Sequence, residues 1–136
     1  MKATEGQVGR VFIMRLEAGD VIPGCIERFA EEKGISVGHA IMLGSVGAGE
    51  VVAGPVRIPV EAEHEVLGLG VIAPGDDGKP MLHMHGALGL SGHTLTGCTR
   101  PGVTVSAMAE VVIYEILGTQ VARLTDKETG LAGLRV

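Results

Sequence analysis

Three of the chain's five histidines lie close together: His83, His85 and His93. If residues 81–87 form a strand, His83 and His85 point to the same face, because side chains alternate along a strand. Glycines after His85 let the chain turn back, so His93 could arrive beside the first two. Three neutral imidazoles at one point are typical ligands of zinc and leave a fourth position open. The spacing therefore predicts a metal site, although surface histidines are a competing interpretation.

An open zinc site supports two classes of function. A small anion or carboxylate at the fourth position would make the protein a ligand-binding or regulatory module. Zinc can also lower the pKa of its bound water to about 7, which would permit hydrolase or lyase chemistry. An enzyme of that kind needs an acid or base nearby, and the catalytic candidates are Glu110, Glu63 and His64. Each also has a structural interpretation: Glu110 could pair with Arg10 or Arg15, and the other two could be loop residues. Whether the protein is an enzyme stays open.

Charge and composition bear on the possible partners. The net charge is −5 and aromatic residues make up 2% of the chain, whereas direct nucleic-acid binding draws on a basic surface and on stacking platforms. DNA association is therefore expected only through a partner. Hydrophobic residues make up 46% and the mean hydropathy is +0.36. This apolar excess predicts a homo-oligomer.

The length of 136 residues predicts a single domain spanning 1–136. No apolar run is long enough to span a bilayer, and the start lacks the basic-then-apolar pattern of a secretion signal. We therefore expect a cytoplasmic protein with no membrane partner. Because the sequence shows no export signal, Cys25 and Cys98 are predicted to be buried reduced thiols. Neither belongs to a Cys-x-x-Cys pair, so a redox or zinc-finger role has little support.

The apolar patterns predict one main helix and about seven strands. The helix is expected over residues 20–33, with Asp20 as its cap and Gly34 as its left-handed end. The strand segments are 8–16, 36–46, 50–58, 66–73, a hairpin over 80–98, 103–117 with an interruption near 106–109, and 120–124. The tail from 125 to 136 is expected to pack loosely or at a subunit edge. Hairpin-like turns and a single helix favour an α+β fold with a largely antiparallel sheet.

In the order and spacing of its motifs the chain resembles the PPC domain, the plants-and-prokaryotes conserved domain, in its small stand-alone prokaryotic form. The motifs are RVFIMRLEAGD at 10–20, GI at 34–35, GSVG at 44–47, EVLGLG at 65–70, HMH at 83–85, GH at 92–93 and EVVI at 110–113. The resemblance implies an antiparallel sheet with one main helix, a homotrimer, and a metal, usually zinc, on His83, His85 and His93. Plant relatives carry AT-hooks with Arg-Gly-Arg-Pro cores. The nearest match here is the turn Arg100-Pro101-Gly102, so a DNA-binding role gains little from the resemblance.

Together these features predict a homotrimeric zinc-binding PPC-domain protein that serves as a small-ligand-binding or regulatory module. A zinc-dependent hydrolase or lyase is the first alternative. A DNA-associated regulatory protein acting through a partner is the second.

Overall fold

The computed structural model describes residues 1–136, with one helix and nine strands. The elements are β1 (Gln7–Glu17), β2 (Val21–Ile22), α1 (Gly24–Lys33), β3 (Gly38–Ala53), β4 (Val56–Val60), β5 (His64–Pro74), β6 (Pro80–Leu90), β7 (His93–Leu117), β8 (Ala122–Thr125) and β9 (Ala132–Arg135). One helix against a large antiparallel sheet confirms the predicted fold class. The helix lacks the length and apolar composition that crossing a membrane requires.

Seven strands form one sheet, in the order β1-β7-β6-β5-β3-β4, with β2 paired to β7. All of the pairs are antiparallel. A further pairing of β7 with β3 closes the ring β7-β6-β5-β3. β8 matches the short strand predicted over 120–124. The tail, which was expected to pack loosely, instead supplies β9, which pairs with β8 in a separate hairpin.

β3 is one strand of 16 residues where the sequence predicted two strands. Its first half pairs with β5, and its second half pairs with β4 and with the early part of β7. Gly49, with a φ of 124°, lies so close to Gly102 that a Cβ would meet the Gly102 carbonyl oxygen. Glycine therefore bends this strand without ending it.

β7 is also continuous, and it bends where an interruption was predicted. Gly44 pairs with Ala109 and Val46 with Val105, so three residues of β7 oppose one residue of β3. The irregularity near 106–109 is thus a bulge within one long strand.

The helix begins at Gly24 rather than at Asp20. Val21–Ile22 first pairs with β7, and the Asp20 carboxylate accepts the Glu17 backbone N–H instead of capping the helix. Gly34 ends the helix with a φ of 65°, as predicted. The helix buries Cys25, Ile26 and Ala30 in the common core.

The two faces of the sheet have different environments. Inward-facing residues such as Met42, Leu82, Met84 and Ile113 are fully buried. The opposite face carries exposed apolar side chains that are neighbours in the strand registers. We call this surface the outer apolar face; its members Val11, Ile13, Leu43, Leu67 and Leu69 are between 51% and 82% exposed.

An ion pair fixes β1 to β7 where the register shifts. The Glu115 carboxylate accepts hydrogen bonds from the Arg10 backbone N–H, at 3.1 Å, and from its Nε and NH2, at 2.8 and 2.7 Å. The Arg10 guanidinium bonding to this carboxylate lowers the pKa of Glu115 to about 2. The charged form is therefore the one that the fold stabilises.

We predict that Gly97→Ala lowers the free energy of unfolding by about 1–3 kcal/mol, the usual cost of overpacking. A Cβ on Gly97 would lie 2.6 Å from the Val52 carbonyl oxygen. Urea unfolding followed by circular dichroism measures the change. Gly89→Ala is the matched control, because no atom lies within 4 Å of a Cβ there; equal effects of the two variants would contradict the prediction.

We also predict that Glu115→Gln lowers the melting temperature at pH 7 and flattens its dependence on pH. A carboxyl group whose folded pKa is depressed contributes stability above its unfolded pKa of about 4.3 and loses it as the pH falls. The gap between wild type and variant should therefore close as the pH falls from about 4.3 towards about 2. A gap that persists at pH 2 would assign the effect to packing rather than to charge.

Candidate metal centre

β6 presents His83 and His85 on the outward side of the sheet. The residues between and around them, Leu82 and Met84, are fully buried, so strict alternation turns both imidazoles away from the core. The two Nε2 atoms lie 2.9 Å apart and the ring centroids 4.9 Å apart. The predicted pairing of these two histidines on one face is confirmed.

Cys98 on β7 completes the cluster. It pairs directly with His85 in the β6–β7 register, so its side chain lies on the same outward face. One ligand atom from each of His83, His85 and Cys98 lies within 4.8 Å of the others. Cys98 is half-buried and reduced, not buried as predicted.

The structure does not bring His93 to this cluster within the chain. Ser91 and Gly92, with φ values of 48° and 82°, form a two-residue turn, so His93 pairs with Leu90 at the tip of the hairpin. His93 lies five positions before Cys98, roughly 16 Å along a strand. This corrects the expectation that His93 arrives beside His83 and His85. Counting back from the short turn would have placed Cys98 opposite His85.

Two imidazoles and a thiol are a suitable donor set for a metal. Thiolate and imidazole together favour zinc among the common ions. In a tetrahedral site with zinc–nitrogen bonds of about 2.0–2.1 Å, two ligating nitrogens lie about 3.4 Å apart. The observed 2.9 Å between the Nε2 atoms therefore requires only a small rotation of the side chains. His85 is exposed, which leaves the outer side of the cluster accessible.

Arg123 lies against His83 and was not identified from the sequence. Its NH1 donates to the His83 Nδ1 at 3.0 Å and to the Ala132 carbonyl oxygen at 3.2 Å. The residue is 6% exposed, and its buried Nε has no hydrogen-bond partner. The position falls in the predicted short strand 120–124, and nothing in that pattern indicates a contact with His83.

The surroundings favour neutral imidazole at His83. Burial, followed by the charges of Arg123, His85 and Arg100, holds the pKa of His83 below its ordinary value. A neutral ring is the form that binds a metal. The electrostatics at His83 therefore favour the ring form that metal binding requires.

Arg100 adds a second positive charge on the α1 side of the cluster. Its NH2 pairs with the Glu27 carboxylate, which also accepts the Leu82 backbone N–H at 2.7 Å. The Arg100 Nε is buried and has no partner. Glu27 therefore compensates Arg100, whereas no carboxylate contacts Arg123.

Two cavities meet at the histidines. The first, of about 480 Å³, we call the apolar groove; it lies between the β3–β4 turn and β6–β7 and is lined by Val52, Ala53, Gly54, Leu67, Leu69, His85, Gly86, Ala87, Thr96 and Gly97. The second, of about 270 Å³, we call the polar cleft; it is lined by His39, Leu69, Gly70, Val71, His83, His85 and Arg123. Mostly apolar walls with a few convergent polar groups are typical of small-molecule sites.

None of the three catalytic candidates lies beside the cluster. Glu110 faces outward opposite Arg15, and β3 and β5 separate it from β6 by roughly 14 Å along the sheet. Glu63 is exposed in the turn before β5. His64 is buried on the inward face, and its Nδ1 lies 2.6 Å from the Ala62 carbonyl oxygen.

Cys25 is remote from this chemistry. It is buried against the core, and burial, followed by the charge of Asp20, raises the pKa of its thiol to about 11. It is a structural thiol, as predicted.

Comparison with known proteins places the chain in a defined group. A family model described as the Plants and Prokaryotes Conserved (PCC) domain matches residues 3–117. No curated protein sequence matches significantly. A metal-containing protein from Archaeoglobus fulgidus is similar at 29% identity and a TM-score of 0.89, with both chains covered completely.

Two further solved structures share the fold. A plant- and prokaryote-conserved (PPC) protein from Pyrococcus horikoshii is 23% identical, with a TM-score of 0.87 over 97% of this chain and 95% of the other. A candidate DNA-binding protein from Bacteroides thetaiotaomicron is 19% identical, with a TM-score of 0.80 over 97% of this chain and 98% of the other. At these identities the likeness concerns the fold.

Proposed function

Because the chain belongs to the Plants and Prokaryotes Conserved (PCC) domain family, also written PPC, we propose that it is a trimeric zinc-binding module. In this proposal the module takes a small ligand at an open metal site. The observation that carries this proposal is the convergence of His83, His85 and Cys98 on one side of the sheet. The metal content of the Archaeoglobus relative, at 29% identity, supports it. In this proposal Cys98 replaces His93 as the third ligand.

The zinc ion would supply a Lewis-acidic coordination position facing solvent. The protein would supply the walls: the apolar groove lies on one side of His85, and the polar cleft lies beside His83. A bound molecule could therefore contact the ion and an apolar surface together. This arrangement suits recognition of a small molecule by shape and charge.

The homotrimer is supported by the outer apolar face. Ile13, Leu43 and Leu69 are each more than half exposed, and pairing through β7 and β3 connects their strands into one surface. A contiguous apolar surface of this kind is typical of a protein interface. Leu69 also lines both cavities, so subunit contacts would border the ligand site.

The two alternative functions have less support. An enzyme would need a general acid or base beside the ion, and the residues lining the two cavities include no carboxylate. DNA association is suggested only by the names of relatives, among them the Bacteroides protein. A net charge of −5 argues against unaided binding to DNA.

Metal analysis of the purified protein tests the proposed ligands. We expect about one zinc per chain in the wild type and loss of most of it in His83→Ala and in Cys98→Ala. The matched control is His93→Ala, which should keep its zinc because His93 lies at the hairpin tip. A Cys98→Ala variant that keeps full zinc, or a wild type that binds none, would overturn the proposal.

Cobalt substitution gives an independent test of whether the Cys98 thiolate binds the metal. The cobalt-loaded wild type should show a sulfur-to-cobalt charge-transfer band, because thiolate is a strongly bonding ligand. The band should be absent in Cys98→Ala and present in His93→Ala. Cys25→Ala should leave it unchanged, since Cys25 is buried in the core.

Light scattering after size exclusion tests the oligomeric state. We expect the wild type at three times the chain mass of 14.0 kDa. Leu43→Glu places a charge on the outer apolar face and should reduce the mass to that of one chain. Val56→Glu is the control, because Val56 on β4 is equally exposed but lies outside that face. A monomeric wild type would exclude the trimer.

A further inference from the structure

The polar cleft contains a buried cation with no carboxylate partner. Arg123 is 6% exposed and lines the cleft, and its buried Nε makes no hydrogen bond. The exposed ion pair of Arg135 with Asp126, on the same hairpin, shows the contrast. A guanidinium removed from water without an anionic partner is costly, so a ligand that supplies negative charge would be stabilised here.

The direction of the hydrogen bond between Arg123 and His83 also points to a negatively charged ligand. A guanidinium can only donate, so the His83 Nδ1 accepts from the Arg123 NH1. If His83 held a metal through Nε2, its ring proton would lie on Nδ1, so that Nδ1 and the Arg123 NH1 would both be donors. Metal-bound histidines normally donate this second N–H to an acceptor. An oxyanion in the cleft can accept from both groups.

The other groups around the cleft also favour negative charge. Besides His83 and Arg123, its polar lining consists of His39 and His85, and the rest is apolar. Arg100 retains a buried Nε without a partner. Glu27, the acidic group on this side, is already bonded to Arg100 and to the Leu82 N–H. A volume of about 270 Å³ suits a small ligand.

We propose that the polar cleft binds a small oxyanion, a carboxylate or phosphate group, through the Arg123 guanidinium beside the metal cluster. This inference rests on the proposed function, because a bound metal would determine which ring nitrogen of His83 carries the proton. It names the chemical class of the ligand and assigns its recognition to the β8–β9 hairpin. That hairpin lies beyond residues 3–117, which the family model matches.

Titration calorimetry in a Tris-chloride buffer tests the inference, with inorganic phosphate and acetate as separate probes on zinc-loaded and metal-free protein. We expect saturable binding of at least one probe, tighter with zinc present. Arg123→Gln should weaken it by at least about tenfold, the usual value of hydrogen bonds to a charged group. Arg135→Gln, which removes an exposed arginine from the same hairpin, should leave the affinity unchanged.

The same samples separate this inference from the proposed function. Zinc content is measured in every variant, and Arg123→Gln should retain its zinc while losing the anion. A wild type that binds zinc but neither probe would overturn the inference alone. A wild type that binds no zinc overturns the proposed function. Phosphate or acetate binding that depends on Arg123 would then still support oxyanion binding in the polar cleft.

A second variant covers the case in which Arg123→Gln does not fold, as judged by circular dichroism. Arg123→Lys keeps the charge but loses the planar fork that matches an oxyanion. It should bind the preferred probe several-fold more weakly than the wild type. Unchanged affinity in either folded variant would overturn the inference. The probe that binds more tightly identifies whether the ligand group is a phosphate or a carboxylate.

Discussion

The two-residue turn between β6 and β7 is the constraint on which the candidate site depends. Ser91 and Gly92 close the hairpin, so the register of the two strands is fixed with Leu90 opposite His93 and His85 opposite Cys98. A shift of one residue would turn every side chain of one strand to the other face. The Cys98 thiol would then face the core, and the imidazoles of His83 and His85 would have no third metal-binding group beside them.

The rest of the sheet holds that register in place. β6 pairs with β5 along nearly its whole length, from Glu65–Gly89 to Pro74–Pro80. On its other side, β7 leaves β6 after Cys98 and pairs with β3, which passes close to Gly97. Where β7 departs, the Leu82 N–H is satisfied by Glu27 of the helix and the Met84 carbonyl oxygen by Thr99. Side chains thus complete the hydrogen bonding of β6 where its partner strand is missing.

Much of the fold could be predicted from periodicity, because the strands carry a buried face and the helix ends at a glycine. The strand ends that were predicted wrongly have a common cause. Glycine and proline in β3 and β7 were expected to end strands, yet Gly49 only bends one where backbone approaches closely. The position of Asp20 before the helix favoured a cap, but its carboxylate is bonded to the Glu17 N–H.

The residues of the candidate site also fall into two groups, those that local spacing predicts and those that depend on tertiary structure. His83 and His85 were predictable because two-residue spacing on a strand is local information. Cys98 and Arg123 were not found, since each reaches the histidines through tertiary structure: Cys98 through the register of the β6–β7 hairpin, and Arg123 through the packing of the β8–β9 hairpin. The resemblance to a family motif implied His93 as the third ligand, whereas the turn length of this chain brings the Cys98 thiol, and not His93, beside the two imidazoles.

The histidines and the thiol lie on the outer side of a closed sheet whose inner side holds the core. An ion bound at the proposed site would cover none of the hydrophobic interior, so its release would leave the core intact. Such a site would differ in this from those of small zinc domains, which unfold when a chelator removes the ion. Such a layout permits a reversible exchange of ions on an already folded scaffold, and it leaves the donor residues free to diverge without loss of the architecture.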